Sequence, residues 1–345
     1  MGSMAARKQQ TSRASNSGFG YHNLNARMKD GIIGQDDAVD EICPFIEVYQ
    51  SGLAPPRRPA AIVMMLGKTG VGKTQMVEQL AYCLHGNPSL MLRLDCGEYQ
   101  SDHEVAKLIG APPGYLGHRE TVPVINQQKL NSNTSERCNL SIVLFDEIEK
   151  ASPALVRILL GVLDKSRLKL GDNSEVNFDN TVIFMTSNLG AEELKKYTNP
   201  DFGYAAHVPV PATSNAKLSG IGSASAKRRL PPEFINRLDT IITFKDLTKE
   251  DIEDILDIEL EKVGAHVKES MGARAFTVDV TPLARKWLIK EGFSKEYGAR
   301  NLKRLINKHI LYPAALKVNS GELGGGDVIR FSLKASSDGL DLTII

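Results

Sequence analysis

Cysteine is scarce in this 345-residue chain, and its four copies, Cys43, Cys83, Cys96 and Cys138, have neither metal-ligand nor redox spacing. That excludes a cysteine metal centre or a dithiol motif, and Cys83 and Cys96, set in apolar surroundings, read as small buried hydrophobes. There is no signal peptide and no apolar run long enough to span a bilayer, so a reducing cytoplasm is the expected compartment and no membrane partner is expected. Charge of one sign is not in excess. Lys+Arg 42 against Asp+Glu 41 leaves +1, so bulk electrostatics argues for no nucleic-acid partner. The local run Lys227-Arg228-Arg229 reads as a solvated loop. Internal repeats and long heptads are missing as well, which removes solenoids and coiled-coil arms. What remains is an ordinary globular composition, 42% hydrophobic and 24% charged, on a length suited to two domains.

Against that background one segment stands out, Gly67-Lys68-Thr69-Gly70-Val71-Gly72-Lys73-Thr74. It fits G-x-x-x-x-G-K-[ST], the loop whose backbone N–H groups cradle nucleotide phosphates. Glycines let the backbone approach phosphate oxygens with no Cβ in the way. Lys73 would reach the β- and γ-phosphates, and the Thr74 hydroxyl would hold Mg²⁺. The flanks agree. Ala60 to Leu66 is an uninterrupted apolar run, as in a buried parallel strand. After the loop, Met76, Val77, Leu80, Ala81 and Leu84 share one helical face. The helix would turn its positive end toward the phosphates. The chain is expected to bind a nucleoside triphosphate.

A second strand-like run, Ser141 to Phe145, ends in Asp146-Glu147. Carboxylates at the carboxyl end of a parallel strand lie where an α/β sheet binds its ligand. Asp146 can coordinate Mg²⁺, directly or through water, and Glu147 can serve as general base on the attacking water. The competing reading is an acidic helix start after a strand. A third run, Thr181 to Met185, leads into Thr186-Ser187-Asn188. Asn188 can orient water near the γ-phosphate because it donates and accepts without titrating, though a turn or helix cap would also use it.

Together these motifs resemble the ATPase modules of the Clp family of AAA+ protein unfoldases, and in particular the second, C-terminal module of the two-ring members. The resemblance runs from Gly31-Ile32-Ile33-Gly34-Gln35-Asp36 to the final strands. It places Ile32, Ile33 and Gly34 in the adenine pocket. Leu144 to Ala151 is close to the family's own wording, and Phe184 to Gly190 matches its first sensor, Asn188. Pro232 to Asp239 matches the arginine-finger segment, with Arg237 as the finger. Tyr297-Gly298-Ala299-Arg300 matches the second sensor, Arg300. A finger supplied by a neighbouring subunit offers a planar, permanent charge to the transferring phosphoryl group, which implies a homo-oligomeric, hexameric ring. On residue chemistry alone Arg237 also reads as a surface arginine.

Gly110-Ala111-Pro112-Pro113-Gly114-Tyr115-Leu116-Gly117-His118 is a stiff turn carrying an aromatic–aliphatic pair at its tip. Tyr115 could fold back onto its own domain. The resemblance instead implies a pore loop, with Tyr115 and Leu116 gripping an extended polypeptide. A nucleic-acid motor would carry Lys or Arg there. The chain departs from the family in three places: Lys68 stands where Pro is usual, Arg119 to Val124 replaces an acidic Gly-Gly stretch, and Pro231 replaces an arginine.

The expected fold is α/β, a P-loop AAA+ domain with a doubly wound, five-stranded parallel sheet, followed by a smaller C-terminal α+β domain. Residues 1–20 are expected to comprise a cloning scar, which Met1-Gly2-Ser3-Met4 looks like, and a polar, disordered tail. Residues 21–245 form the nucleotide-binding domain, with strands Ala60–Leu66, Leu90–Leu94, Ser141–Phe145, Thr181–Met185 and Thr240–Phe244. Residues 246–345 form the small domain, with helix Glu250–Met271 and antiparallel strands Asp327–Leu333 and Leu340–Ile345. The segment between Gly190 and Leu230 exceeds the ~12–15 residues of compact loops and reads as mobile or partner-binding.

The leading expectation is an ATP-hydrolysing hexameric ring that threads polypeptides, using ATP/ADP and Mg²⁺. One alternative is the motor of a compartmental protease with a peptidase partner, for which Phe202-Gly203-Tyr204 is a departed candidate docking loop. Another is a nucleotide-switched scaffold that does not thread.

Overall fold

The computed structural model describes residues 23–110, 123–189, 224–294, 298–335 and 338–345. The Tyr115–Leu116 tip, Phe202-Gly203-Tyr204, Tyr297 and the first 22 residues therefore lie outside the described residues. The chain divides into two compact units. One comprises Leu24–Lys68 and Gly72–Lys245; the other includes Asp246–Ile345 and the loop tip Thr69–Val71.

The first unit is built on a five-stranded parallel sheet. Its strands are β1 (Ala61–Leu66), β2 (Leu92–Asp95), β3 (Ser141–Asp146), β6 (Thr181–Ser187) and β7 (Thr240–Thr243), in the spatial order β2-β3-β6-β1-β7. All four strand pairings are parallel. Parallel strands covered on both faces need apolar side chains on both, and every residue of β1 and β6 is buried. The five expected strands are all present, with ends shifted by one or two residues.

Helix Lys73–His85 returns from β1 with Met76, Val77, Leu80, Ala81 and Leu84 buried. Helix Pro153–Lys165 starts sharply because Ser152 Oγ accepts the Leu155 N–H at 3.2 Å and Pro153 needs no amide partner. Its Leu155, Leu159, Val162 and Leu163 join Val143, Phe145, Ile183 and Phe234 in the main core.

Two features differ from expectation. A short antiparallel hairpin, β4 (Arg167–Lys169) with β5 (Glu175–Asn177), sits between β3 and β6 in the chain. Only its central Leu168 and Val176 are buried, a pattern too short to show as alternation. Residues 224–229 are helical, so Lys227-Arg228-Arg229 lies on an exposed helical face and not in a loop. Ser225 and Ala226 bury the other side.

In the second unit, helix Lys249–Met271 opens with a capping box, Thr248 Oγ1 accepting from the Asp251 N–H and Asp251 Oδ2 from the Thr248 N–H. The expected strands appear as β9 (Val328–Leu333) and β10 (Leu340–Ile344), antiparallel. A third strand not foreseen, β8 (Thr277–Val280), pairs parallel with β9. Helix Arg300–Ile306 continues through a widened turn, Asn307–Leu311, into Tyr312–Asn319. Leu302, Ile306 and Ile310 are buried against Leu288, Ile329 and Phe331.

Candidate active site

The candidate site lies at the carboxyl ends of β1, β3 and β6, three neighbouring strands. Gly67, Gly70 and Gly72 have φ of 149°, 80° and 104°. A Cβ on Gly72 would meet nothing within 4 Å, so backbone conformation and not space calls for glycine there. Gly72 caps helix Lys73–His85, whose first turn carries no acidic residue. Its N–H groups and dipole are left to face an anion. Thr69 and Val71 lie in the same loop, Val71 buried and Thr74 half-buried at the second helical position.

Lys73 is only 9% exposed. Its Nζ donates to the carbonyls of Gly67 (2.6 Å) and Lys68 (2.9 Å) and to Asn188 Oδ1 (3.0 Å). The carbonyl role of position 68 is independent of side chain, which is how a lysine is tolerated there. The lysine thus fixes the Asn188 amide with Oδ1 inward, leaving Nδ2 to donate. The Asn188 N–H in turn donates to Glu149 Oε1 at 3.0 Å.

The acidic side is equally ordered. Asp146 ends β3, and Glu147 follows in a left-handed conformation (φ 56°, ψ 53°) before the turn Ile148–Lys150. An acidic residue simply starting a helix would not need that backbone. Arg93 of β2 donates to Asp146 Oδ2 at 2.6 Å, and the Thr186 hydroxyl of β6 donates to Asp146 Oδ1. The Glu147 N–H donates to the same Thr186 Oγ1 at 3.0 Å. Glu147 Oε2 pairs with Lys150 Nζ at 2.5 Å, which raises the lysine pKa. Cys96 sits buried beside this cluster. Burial first, then Asp95, Asp146, Glu149 and Glu147, push its thiol up to about 12.

Among the described residues no group of three or more His, Cys, Asp or Glu could hold a metal by itself. Mg²⁺ takes few protein oxygens and shares nucleotide oxygens and water. Thr74 Oγ1 and Asp146 are suitable oxygen donors.

Ile32, Ile33 and Gly34 form the turn between helices Leu24–Gly31 and Asp36–Gln50. Ile32 is buried, Ile33 half-buried, and Gly34 has φ 72°. Arg237 follows helix Pro232–Ile235, is 49% exposed, and pairs with Asp164 at 3.1 Å. It is not gathered with Lys73, Asp146, Glu147 and Asn188. Arg300 is exposed at the first position of its helix in the second unit. Sequence reasoning missed Arg93, Glu149, Lys150 and Thr186. Glu149 and Lys150 sit within the quoted Leu144–Ala151 stretch and Thr186 beside Asn188, but the approach of Arg93 and Thr186 to Asp146 depends on strand register, and the Glu149 partner is an amide 39 residues later.

Residues 58–241 match the AAA domain family (Cdc48 subfamily), and residues 247–331 match the C-terminal D2-small domain of ClpB protein. The chain belongs to the Clp family of AAA+ ATPases. Among similar Clp proteins, chaperone protein ClpB of Rhizobium meliloti is 38% identical over 310 residues, covering 90% of this chain and 33% of that protein. ClpB of Aquifex aeolicus is 36% identical over 317 residues, covering 90% and 29%. The chain thus spans about a third of the length of these curated Clp relatives. An Hsp104–ADP complex from S. cerevisiae superposes with TM-score 0.75 at 28% identity, covering 92% of this chain and 51% of that one. A closed-state reconstruction of Hsp104 with ATPγS and FITC casein gives 0.73 at 28% identity, covering 93% and 51%.

Proposed function

We propose that this Clp-family module hydrolyses ATP within a homohexameric ring and uses the turnover to thread polypeptides through the ring's pore. The observation that carries the reading is the convergence of Lys73, Asn188, Asp146 and Glu147 at adjacent strand ends. Casein in the similar Hsp104 assembly supports an unfolded polypeptide as the client class.

In this mechanism the loop amides of Gly67–Thr74 bind the phosphates, and Lys73 meets the β,γ-oxygens while Asn188 holds its ammonium in place. Thr74 and Asp146 would hold Mg²⁺, which would supply neutralisation of the phosphate charge. Glu147 accepts the proton of the attacking water. Its carboxylate is paired with Lys150 Nζ, and the side chain must turn from Lys150 to meet that water. Asn188 Nδ2 donates to the water or to the γ-phosphate. Arg237, exchanging Asp164 for the neighbouring subunit's nucleotide, stabilises the transferring phosphoryl group. Ile32, Ile33 and Gly34 receive the adenine. Arg300 acts as the second sensor, and Tyr115 with Leu116 grips the client. No helix among the described residues is long and apolar enough to cross a membrane, and we place the machine in the cytoplasm. A peptidase partner rests on Phe202-Gly203-Tyr204 alone and is not part of the proposal.

The test is ATP-driven unfolding of a fluorescent protein bearing an unstructured tail, at ring-forming concentration. Loss of fluorescence with the wild type and not with Tyr115→Ala supports threading. Steady ATP turnover with an unchanged client, and with Tyr115→Ala indistinguishable from wild type, contradicts it.

A further inference from the structure

Thr186 is 1% exposed on β6, and its hydroxyl joins two residues that the hydrolysis reading gives different tasks. A hydroxyl has one proton and two lone pairs. Here the proton goes to Asp146 Oδ1, and a lone pair receives the Glu147 N–H at 3.0 Å. The pairing of β2 with β3 ends at Asp146 and that of β3 with β6 at Phe145, so the Glu147 amide has left the sheet ladder. Its left-handed backbone turns the base out of the strand direction. Backbone in that region persists only where the surroundings hold it. The Thr186 hydroxyl is the group doing so from the neighbouring strand, and it spends its own proton on the carboxylate one residue earlier.

We propose that Thr186 is a positioning residue for hydrolysis, coupling the placement of the Asp146 carboxylate to the backbone of Glu147 through one hydroxyl. Its side chain is buried and its hydroxyl is engaged by Asp146 and the Glu147 amide. Its effect is on where the base stands, so it acts on the chemical step and leaves nucleotide affinity alone. A purely structural threonine would satisfy a buried amide, and its loss would lower stability without a selective effect on kcat. The inference rests on the ATP-hydrolysis reading above.

The test compares Thr186→Ser, which keeps the hydroxyl, with Thr186→Val, which keeps the shape, and Thr186→Ala, which keeps neither. Steady-state kcat and KM for ATP, fluorescent mant-ADP affinity with and without Mg²⁺, and Tm are read for each. The expected result is Thr186→Ser within about threefold of wild type in every parameter, with Thr186→Val and Thr186→Ala lowering kcat about 10- to 100-fold at KM and mant-ADP affinity within about threefold. If Thr186→Val does not fold, the Ser–Ala comparison carries the decision. The proposal is overturned if Thr186→Val and Thr186→Ala melt lower yet keep wild-type kcat below their Tm. It is also overturned if Thr186→Ser is as slow as Thr186→Ala, or if affinity falls with kcat. A wild type that binds mant-ADP but turns over no ATP fails the hydrolysis reading itself and takes this inference with it.

Discussion

Gln35 closes both backbone groups of Lys245: its Nε2 donates to the Lys245 carbonyl at 2.9 Å, and its Oε1 accepts the Lys245 N–H at 3.1 Å. The side chain is 2% exposed, and Lys245 is the last residue of the first unit. An amide thus does at the end of β7 what a further strand residue would do. The Lys245 ammonium adds an exposed ion pair to Asp37 at 2.6 Å, a contact worth little by itself.

Gln35→Leu strands two backbone groups and is expected to cost about 1–3 kcal/mol, since unsatisfied groups carry their full desolvation penalty. Urea unfolding monitored by circular dichroism checks this. A midpoint equal to wild type would show that water replaces the amide at no cost.

Arg237→Ala is expected to lower ATP turnover about 10³-fold or more, the range seen when an arginine finger is absent, while leaving mant-ADP affinity unchanged. Its half-exposed pair with Asp164 contributes at most about 1 kcal/mol to stability, so the variant should melt near wild type. Comparable losses in affinity and turnover would instead put Arg237 in its own subunit's pocket.

The thiols give a prediction independent of nucleotide. Burial raises Cys43 and Cys96 from 9.0 to about 12 and raises Cys83 as well, and Cys138 is also buried. The native protein should resist DTNB at pH 8 and react fully in denaturant. Above pH 9 the unfolded chain loses thiol protons that the folded chain keeps. The stabilisation is thus complete below 9 and is lost as pH rises toward 12. Chemical denaturation at pH 8 and 10.5 should show that decline, and rapid native labelling would contradict it.

The parallel sheet was legible because buried parallel strands leave continuous apolar runs, as in Ile62–Leu66 and Val182–Met185. The hairpin of Leu168 and Val176 was not, since three-residue strands with charged neighbours carry no usable period. Strand β8 escaped for a related reason: Thr277–Val280 finds its partner in Val328–Phe331, far along the chain. At the site, Lys73, Asp146, Glu147 and Asn188 were nameable because their spacing to strand ends is local. Arg93 and Thr186 were not, because their approach to Asp146 depends on the register of β2 and β6 against β3. The same holds for Glu149, whose partner is an amide 39 residues later.

The central claim is that Glu147 is the base of an ATP-hydrolysing site, and Glu147→Gln tests it most directly. ATP turnover and mant-ATP binding are measured together at ring-forming concentration. The account predicts that the variant binds within about threefold of wild type while its turnover falls at least about 100-fold, the contribution of a positioned general base. A variant that hydrolyses ATP at the wild-type rate contradicts it.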